Sequence, residues 1–166
     1  MSCLETIKPK INKLCIDGKA YDLKFTLESF AFLEEKFNSV DEAIRLFNSK
    51  NFAAILACFE AGLLHTKEEY NVQKIINELN PEACIIAIAD AMTSALSSDF
   101  GFDKEWDWAL LYFIAKPVLH MSEEEFWQST PKKILWMLKI LQELKGSEKT
   151  TPNSAQNAAI NSFMSW

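Results

Sequence analysis

The sequence predicts a mainly α-helical fold that carries a small β-hairpin at its N-terminal end, an α+β arrangement dominated by helices. Three observations support this class. Only four glycines and five prolines interrupt 166 residues, which favours long regular elements. Apolar residues recur at helical spacing through most of the chain, often just after a Ser, Thr or Asn that could cap a helix. One Asp-Gly pair lies between two short runs typical of strands.

The hairpin is predicted from INKLCIDGKAYDLKF, residues 11–25. Asp17 and Gly18 suit a tight turn because both residue types tolerate positive φ. The strands are expected over 11–16 and 20–25. A lone two-stranded hairpin is only marginally stable in water, so this one is expected to pack on the helices or to pair with a neighbour.

Five helices are predicted between the hairpin and residue 96, forming a helical bundle. The residues that begin them are Thr26, Ser39, Asn51, Thr66 and Pro81. Ser39 opens an S-x-x-E capping box, and Thr66 repeats that spelling for a helix that reaches about residue 79. The Ala- and Ile-rich run 83–96 is expected to be a central, buried helix.

The chain is expected to divide into three parts. SSDFGFDKE, residues 97–105, is a Gly/Ser/Asp-rich break that predicts a boundary or hinge. It separates an N-terminal hairpin-plus-helical domain, 1–98, from an aromatic-rich helical extension, 99–145. Residues 146–166 begin with a polar, turn-rich stretch and are expected to be a flexible tail that ends in an amphipathic segment.

The stretch MSEEEFWQSTPKKI, residues 121–134, looks at first like a site for acid/base chemistry. Consecutive glutamates point in different directions on a helix, so they do not form a catalytic pair. Ser122 and Glu125 instead have capping-box spacing, and the acidic residues suit the positive end of a helix. Thr130 and Pro131 then predict the start of another helix, so the acids are interpreted as structural.

No enzymatic, metal or cofactor site is expected. The sequence has no nucleophile elbow, phosphate loop or zinc-protease motif. Its four cysteines form no CxxC pair, and the two histidines are far apart, so the cysteines are interpreted as reduced, buried thiols of a cytosolic protein. A net charge of −6 without a basic cluster argues against nucleic-acid binding, and no apolar run is long enough to span a membrane.

The C-terminal region is unusually rich in aromatic residues, and their role has two interpretations. Four of the five tryptophans fall within residues 106–136, where they could form a subdomain core or anchor a partner. The apolar residues of the helix after Pro131 cover roughly 220°, more than one packed face needs. The tail end AAINSFMSW is expected to dock as a short helix. The candidate partner-binding residues are Trp106, Trp108, Tyr112, Phe113, Phe126, Trp127, Trp136, Met137, Ile140, Leu144, Ile160, Phe163, Met164 and Trp166.

Three stretches carry a resemblance to a known family. They are DGKAYDLKFTLESFAFLEEKFNSVDEAIRLF, NFAAILACFEAGLLH and EWDWALLYFIAKPVLHMSEEEFWQSTPKKI. In these residues the chain resembles the tail assembly chaperones of long-tailed bacteriophages and prophages of Gram-positive bacteria. The resemblance covers roughly 14–65 and 104–140, and MSEEEFWQSTP is its most specific part. Residues 66–103 match only in helical character, and the tail after Gly146 does not match.

The resemblance implies a function without catalysis. Such a chaperone coats the hydrophobic tape measure protein in the host cytoplasm, recruits tail tube subunits and is absent from the finished virion. Many members occur in two lengths through a ribosomal frameshift, and this chain would be a long form whose C-terminal extension binds the tail tube protein. The alternative is a structural virion protein, such as a tail completion or joining component. In that case the hairpin could join a neighbour's sheet in a homo-oligomeric ring.

Overall fold

The structure is a computed structural model that describes residues 11–16, 19–68, 70–72, 75, 81–96 and 106–147. Within these ranges the fold is mainly helical with one two-stranded antiparallel sheet, which confirms the predicted class. The elements are β1 (Asn12–Ile16), β2 (Lys19–Leu23), α1 (Leu27–Phe37), α2 (Val40–Asn48), α3 (Phe52–Leu63), α4 (Pro81–Ala95), α5 (Trp108–Phe113), α6 (Glu123–Trp127) and α7 (Pro131–Ser147). No helix in these ranges combines the length and apolar character needed to cross a membrane.

The hairpin packs on the helices rather than standing alone. Leu14 of β1 lies opposite Tyr21 of β2, and both side chains are buried against a core to which α3 and α4 contribute. Leu23 at the end of β2 and Phe25 in the chain after it are buried in the same core. The strands differ from the predicted ones by one or two residues at their ends, and the predicted Asp17-Gly18 turn lies outside the described residues.

Gly62 of α3 lets the hairpin approach this helix closely. A Cβ atom at this position would lie 3.1 Å from Leu23 Cδ2 and 3.3 Å from Phe25 Cε2, closer than ordinary van der Waals contact. The Lys24 N–H donates to the Gly62 carbonyl oxygen at 3.0 Å. This bond joins the last turn of α3 to the chain that follows β2, and His65 Nδ1 lies 3.1 Å from the same carbonyl oxygen.

Most of the predicted helix starts are confirmed. Side-chain oxygens accept hydrogen bonds from the backbone of the first helical turn at Thr26, Ser39, Asn51, Ser122 and Thr130. The Ser122 box is complete, since the Ser122 N–H also donates to Glu125 Oε2 at 2.7 Å. Pro81 is the first residue of α4. Helix α7 continues to Ser147, two residues beyond the predicted end of the extension.

Thr66 is the exception, and the prediction of a helix beginning there was wrong. Its hydroxyl donates to the Leu63 carbonyl at 2.8 Å. Thr66 is the last residue of a short 3-10 turn, Leu64–Thr66. Lys67 then adopts a left-handed backbone conformation with a φ of 57°, which a helix cannot continue through. Val72 and Ile75, which lie inside the predicted helix, are helical, whereas residues 73, 74 and 76–79 of that helix lie outside the described residues.

The N-terminal helices and the C-terminal region share one hydrophobic core. The rings of Phe30 in α1 and Trp106 have centroids 4.8 Å apart. The Leu27 N–H donates to the Ser129 carbonyl oxygen at 2.8 Å, so α1 is also joined to the segment between α6 and α7. The predicted boundary stretch 97–105 lies outside the described residues, and the division at residue 98 stays a prediction.

A π-helical turn, Ile114–Val118, follows α5 directly and ends the helix. Pro117 lies inside it and has no N–H to donate, which removes one ordinary helical hydrogen bond. The Leu119 N–H reaches back five residues to the Ile114 carbonyl at 2.9 Å. His120 has a φ of 54°, and the chain then turns into the cap of α6.

Candidate partner-binding groove

A groove lies between α1 and the two helices α5 and α6. It consists of two adjoining cavities of about 710 and 540 Å³, which meet at Ala31, Glu35 and Trp127. We call this surface the α1 groove. Its other principal lining residues are Glu28, Glu34, Trp108, Tyr112 and Glu124.

Helix α1 forms one wall of the groove because its two faces differ in polarity. Leu27, Phe30 and Leu33 point into the core and are fully buried. Glu28, Ala31, Phe32 and Glu35 follow the i, i+3, i+4, i+7 spacing of the opposite face and line the groove. An acidic helical face that also carries Ala and Phe therefore forms the wall.

The other wall is a chain of aromatic rings that runs from the core to the surface. Trp106 packs on Trp108 with centroids 5.3 Å apart, and Trp108 packs on Trp127 at 6.4 Å. Phe126 contacts Trp127 edge to face at 4.9 Å and Tyr112 at 5.2 Å. Tilted and edge-to-face pairs are favourable ring geometries, so this wall is held by its own packing.

Three of these rings, those of Trp108, Trp127 and Tyr112, donate to carboxylates through their polar tips. Trp108 Nε1–H donates to Glu34 Oε2 at 2.6 Å, which ties α5 to α1. Trp127 Nε1–H donates to Glu123 Oε1 at 2.8 Å. The Tyr112 hydroxyl donates to Glu123 Oε2 at 2.6 Å, and this bond is the main cause that lowers the pKa of Glu123 and raises that of Tyr112.

The groove carries a surplus of negative charge. Its lining includes four glutamates, Glu28, Glu34, Glu35 and Glu124, and one lysine, Lys67. The hydrogen bonds that Glu28 and Glu34 accept come from the neutral side chains of Gln128 and Trp108. Neutral donors leave the carboxylate charge uncompensated, so the field in the groove is negative.

The C-terminal aromatic residues predicted as partner anchors divide between core and groove. Trp106 is 9% exposed and Phe126 is 1% exposed, so both are core residues in this conformation. Trp108 and Trp127 are half-buried and line the groove, where Tyr112 joins them with 39% of its surface exposed. Phe113 is also exposed but does not line the groove. The sequence left open whether this cluster packs in the core or contacts a partner. In the structure Trp106 is a core residue, Trp108, Trp127 and Tyr112 line the groove, and Phe126 does both.

The predicted anchors on α7 do not line the groove. Trp136, Met137 and Ile140 are half-buried on α7, and Leu144 is 63% exposed near its end. Ile134 and Leu138 of α7 point into the core instead, which accounts for part of its broad apolar arc. The predicted tail residues Ile160, Phe163, Met164 and Trp166 lie outside the described residues.

The glutamates of α1 are the groove residues that the sequence pattern did not single out. The helical spacing of Leu27, Phe30 and Leu33 predicts the buried face and carries no prediction for the opposite one. The available signal was Ala31 and Phe32, two apolar residues placed among glutamates on that face.

Chemically, the groove is suited to noncovalent contact. In the part of the chain that the structure describes, no group of three or more His, Cys, Asp or Glu side chains could hold a metal ion. Burial raises the pKa of the Cys58 thiol to about 12 and that of Cys84 to about 11, so both thiols are protonated and unreactive at neutral pH.

Comparison of the chain with protein-family models, curated proteins and solved structures finds no match.

Proposed function

We propose that this chain is a phage tail assembly chaperone that keeps the tape measure protein soluble and recruits tail tube subunits. The observation that carries the proposal is the composition of the α1 groove. One wall comes from α1 and the other from α5 and α6. These helices lie in the N-terminal and C-terminal stretches whose sequences resemble the chaperone family, so the groove depends on both.

The mechanism is stoichiometric binding in the host cytoplasm. A tape measure protein exposes long apolar stripes before the tail tube encloses it, and such stripes associate with one another in water. Half-buried Trp108 and Trp127 offer large apolar surfaces at a low cost in side-chain entropy. Binding there would cover part of a stripe until the tube protein replaces the chaperone, and it requires neither nucleotide nor metal.

The direct test is co-expression of the cognate tape measure protein with and without this chain. The soluble fraction of the tape measure protein is expected to rise with the intact chain, and affinity-tagged chain should co-purify the tube protein. Trp127→Ala should weaken both effects, whereas Trp136→Ala is the matched control because Trp136 is half-buried outside the groove. An insoluble tape measure protein and no tube co-purification, with a folded chain, contradict the proposal.

Substitutions are better suited to this test than removal of the C-terminal region, for example by truncation at residue 103. A 1–103 fragment lacks Trp106 and Ser129, which contact Phe30 and Leu27 of α1, so it would expose core surface. Nonspecific adhesion of that surface would imitate client binding.

Mass spectrometry of purified mature tails separates the chaperone from a structural virion protein. A chaperone is expected in infected cells during assembly and not in finished particles. Recovery of the chain from mature tails at a fixed ratio to the tube protein would show instead that it is a structural component.

A further inference from the structure

We infer that the α1 groove selects a basic, amphipathic helical segment of its client, one that places Lys or Arg side chains beside an apolar stripe. The inference rests on the proposed function only in calling the partner a client. It goes further by naming the chemistry that the groove recognises.

The charge of the groove supports a basic occupant. Glu35 and Glu124 are exposed and have no ion-pair partner among the described residues, and each lines a cavity of the groove. Lys116 is engaged by Glu123 at 3.4 Å, and Lys36 by Glu60 at 2.7 Å. Lys116 and Lys36 are therefore paired with acids that do not line the groove. Lys67, which lines the same cavity as Glu35 and Glu124, offsets only part of the charge of the four groove glutamates, so a negative surplus remains available to a client cation.

The aromatic wall supports a cation next to apolar side chains. Hydrogen bonds from Trp108 to Glu34 and from Trp127 to Glu123 fix the direction of both indoles. Aromatic faces attract ammonium and guanidinium groups, most strongly those of tryptophan. A carboxylate at the edge of an indole adds its own attraction to the same cation. Ala31 and Phe32 of the facing wall provide contacts for apolar side chains.

Charge also distinguishes this occupant from two others. A second copy of the chain would bring a net charge of −6 to a negative groove, which opposes association. The chain's own residues 148–166 contain one lysine and one glutamate, so they offer no basic stripe. A helical client with several cations fits the groove better than either.

The test uses the intact chain and defined peptides. The probe is a labelled amphipathic helical peptide of about 18 residues, or about five turns, with a leucine stripe flanked by four lysines. A second peptide replaces each lysine with glutamine. The lysine peptide is expected to bind at least about fivefold more tightly at about 50 mM salt, and the difference should shrink at about 500 mM salt. Equal binding of the two peptides at low salt overturns the inference.

Two variants, each of which removes one negative charge, test whether the preference for the lysine peptide arises in the groove. Glu35→Gln should reduce the preference for lysine by about twofold or more, because Glu35 lies in the groove. Asp90→Asn, on the exposed side of α4, changes the net charge equally and should leave the preference unchanged. Equal effects of the two variants would mean nonspecific attraction to an acidic protein and would overturn the inference.

Trp127→Leu tests the aromatic face separately. Leucine keeps an apolar contact but removes the indole, so binding of the glutamine peptide should persist while the lysine preference falls. Circular dichroism establishes that this variant is folded. If this variant is unfolded, the comparison of Glu35→Gln with Asp90→Asn decides whether the groove prefers lysine.

These outcomes can be separated from those of the proposed function. A groove without lysine preference in a chain that still solubilises the tape measure protein overturns only this inference. A clear lysine preference in a chain that neither solubilises the tape measure protein nor binds the tube protein overturns only the proposed function.

Discussion

Ser29 shows how one buried hydroxyl joins two helices. Its Oγ accepts from the Thr26 N–H at 3.1 Å, while Thr26 Oγ1 accepts from the Ser29 N–H at 3.4 Å. The same Ser29 hydroxyl donates to the Ala61 carbonyl at the end of α3, at 2.7 Å. Both side chains are fully buried, so water cannot replace these bonds.

Ser29→Ala is expected to lower the free energy of unfolding by about 1–2 kcal/mol, because buried backbone groups lose their partners. Urea denaturation of the full chain, followed by circular dichroism, measures the change. Ser49→Ala is the matched control, since Ser49 is exposed and its hydroxyl donates only to the Leu46 carbonyl of the helix that it caps. Its effect should stay within about 0.5 kcal/mol. Similar losses in the two variants would contradict the role given to Ser29.

At the scale of elements, α6 depends on its cap more than the longer helices do. It has five residues, too few to be stable by hydrogen bonding within the helix. Ser122 and Glu125 satisfy two of its first backbone N–H groups, and Phe126 anchors it in the core. The next residue, Trp127, lines the groove, so the cap supports the position of a groove wall.

Ser122→Ala is expected to cost about 1 kcal/mol of unfolding free energy, the usual value for a lost cap. It should also shift the indole N–H resonance of Trp127 in NMR spectra, because the Glu123 carboxylate that accepts this N–H lies in the same first turn. Glu125→Gln is the control, since glutamine also completes a capping box. An unchanged indole resonance in Ser122→Ala would show that α6 is held by packing alone.

At the scale of the whole molecule, the C-terminal region is bound to the N-terminal helices by buried contacts. Phe126, Trp106 and Ile134 belong to the same hydrophobic cluster as Phe30 and Leu33. Backbone and side-chain bonds cross between the regions, from Leu27 to Ser129 and from Gln128 to Glu28. This contact predicts joint unfolding of the two regions.

The intact chain is expected to unfold in one transition by two probes. Tryptophan fluorescence reports mainly on residues 106–136, and far-ultraviolet circular dichroism reports on all helices. Phe126→Ala should lower both midpoints together, with a loss of about 3–5 kcal/mol. Separate transitions, or a shift in fluorescence alone, would show that the extension folds independently, as the predicted boundary at residue 98 would allow.

The sequence by itself determined the features that local chemistry controls. Most helix starts, the hairpin and the mainly helical class follow from capping residues and apolar periodicity, which act over a few residues. Ser122 with Glu125 is the clearest case, because both hydrogen bonds of the box join residues three apart.

The tertiary structure decided what depends on distant residues. The capping-box motif at Thr66 predicts a helix start, yet this residue ends a 3-10 turn after α3. The spacing of the tryptophans did not reveal that Trp106 is core while Trp108 and Trp127 line a groove. Trp108 reaches its partner Glu34 across 74 positions of the chain. Such contacts form only when helices pack, so a local pattern of residues does not contain them.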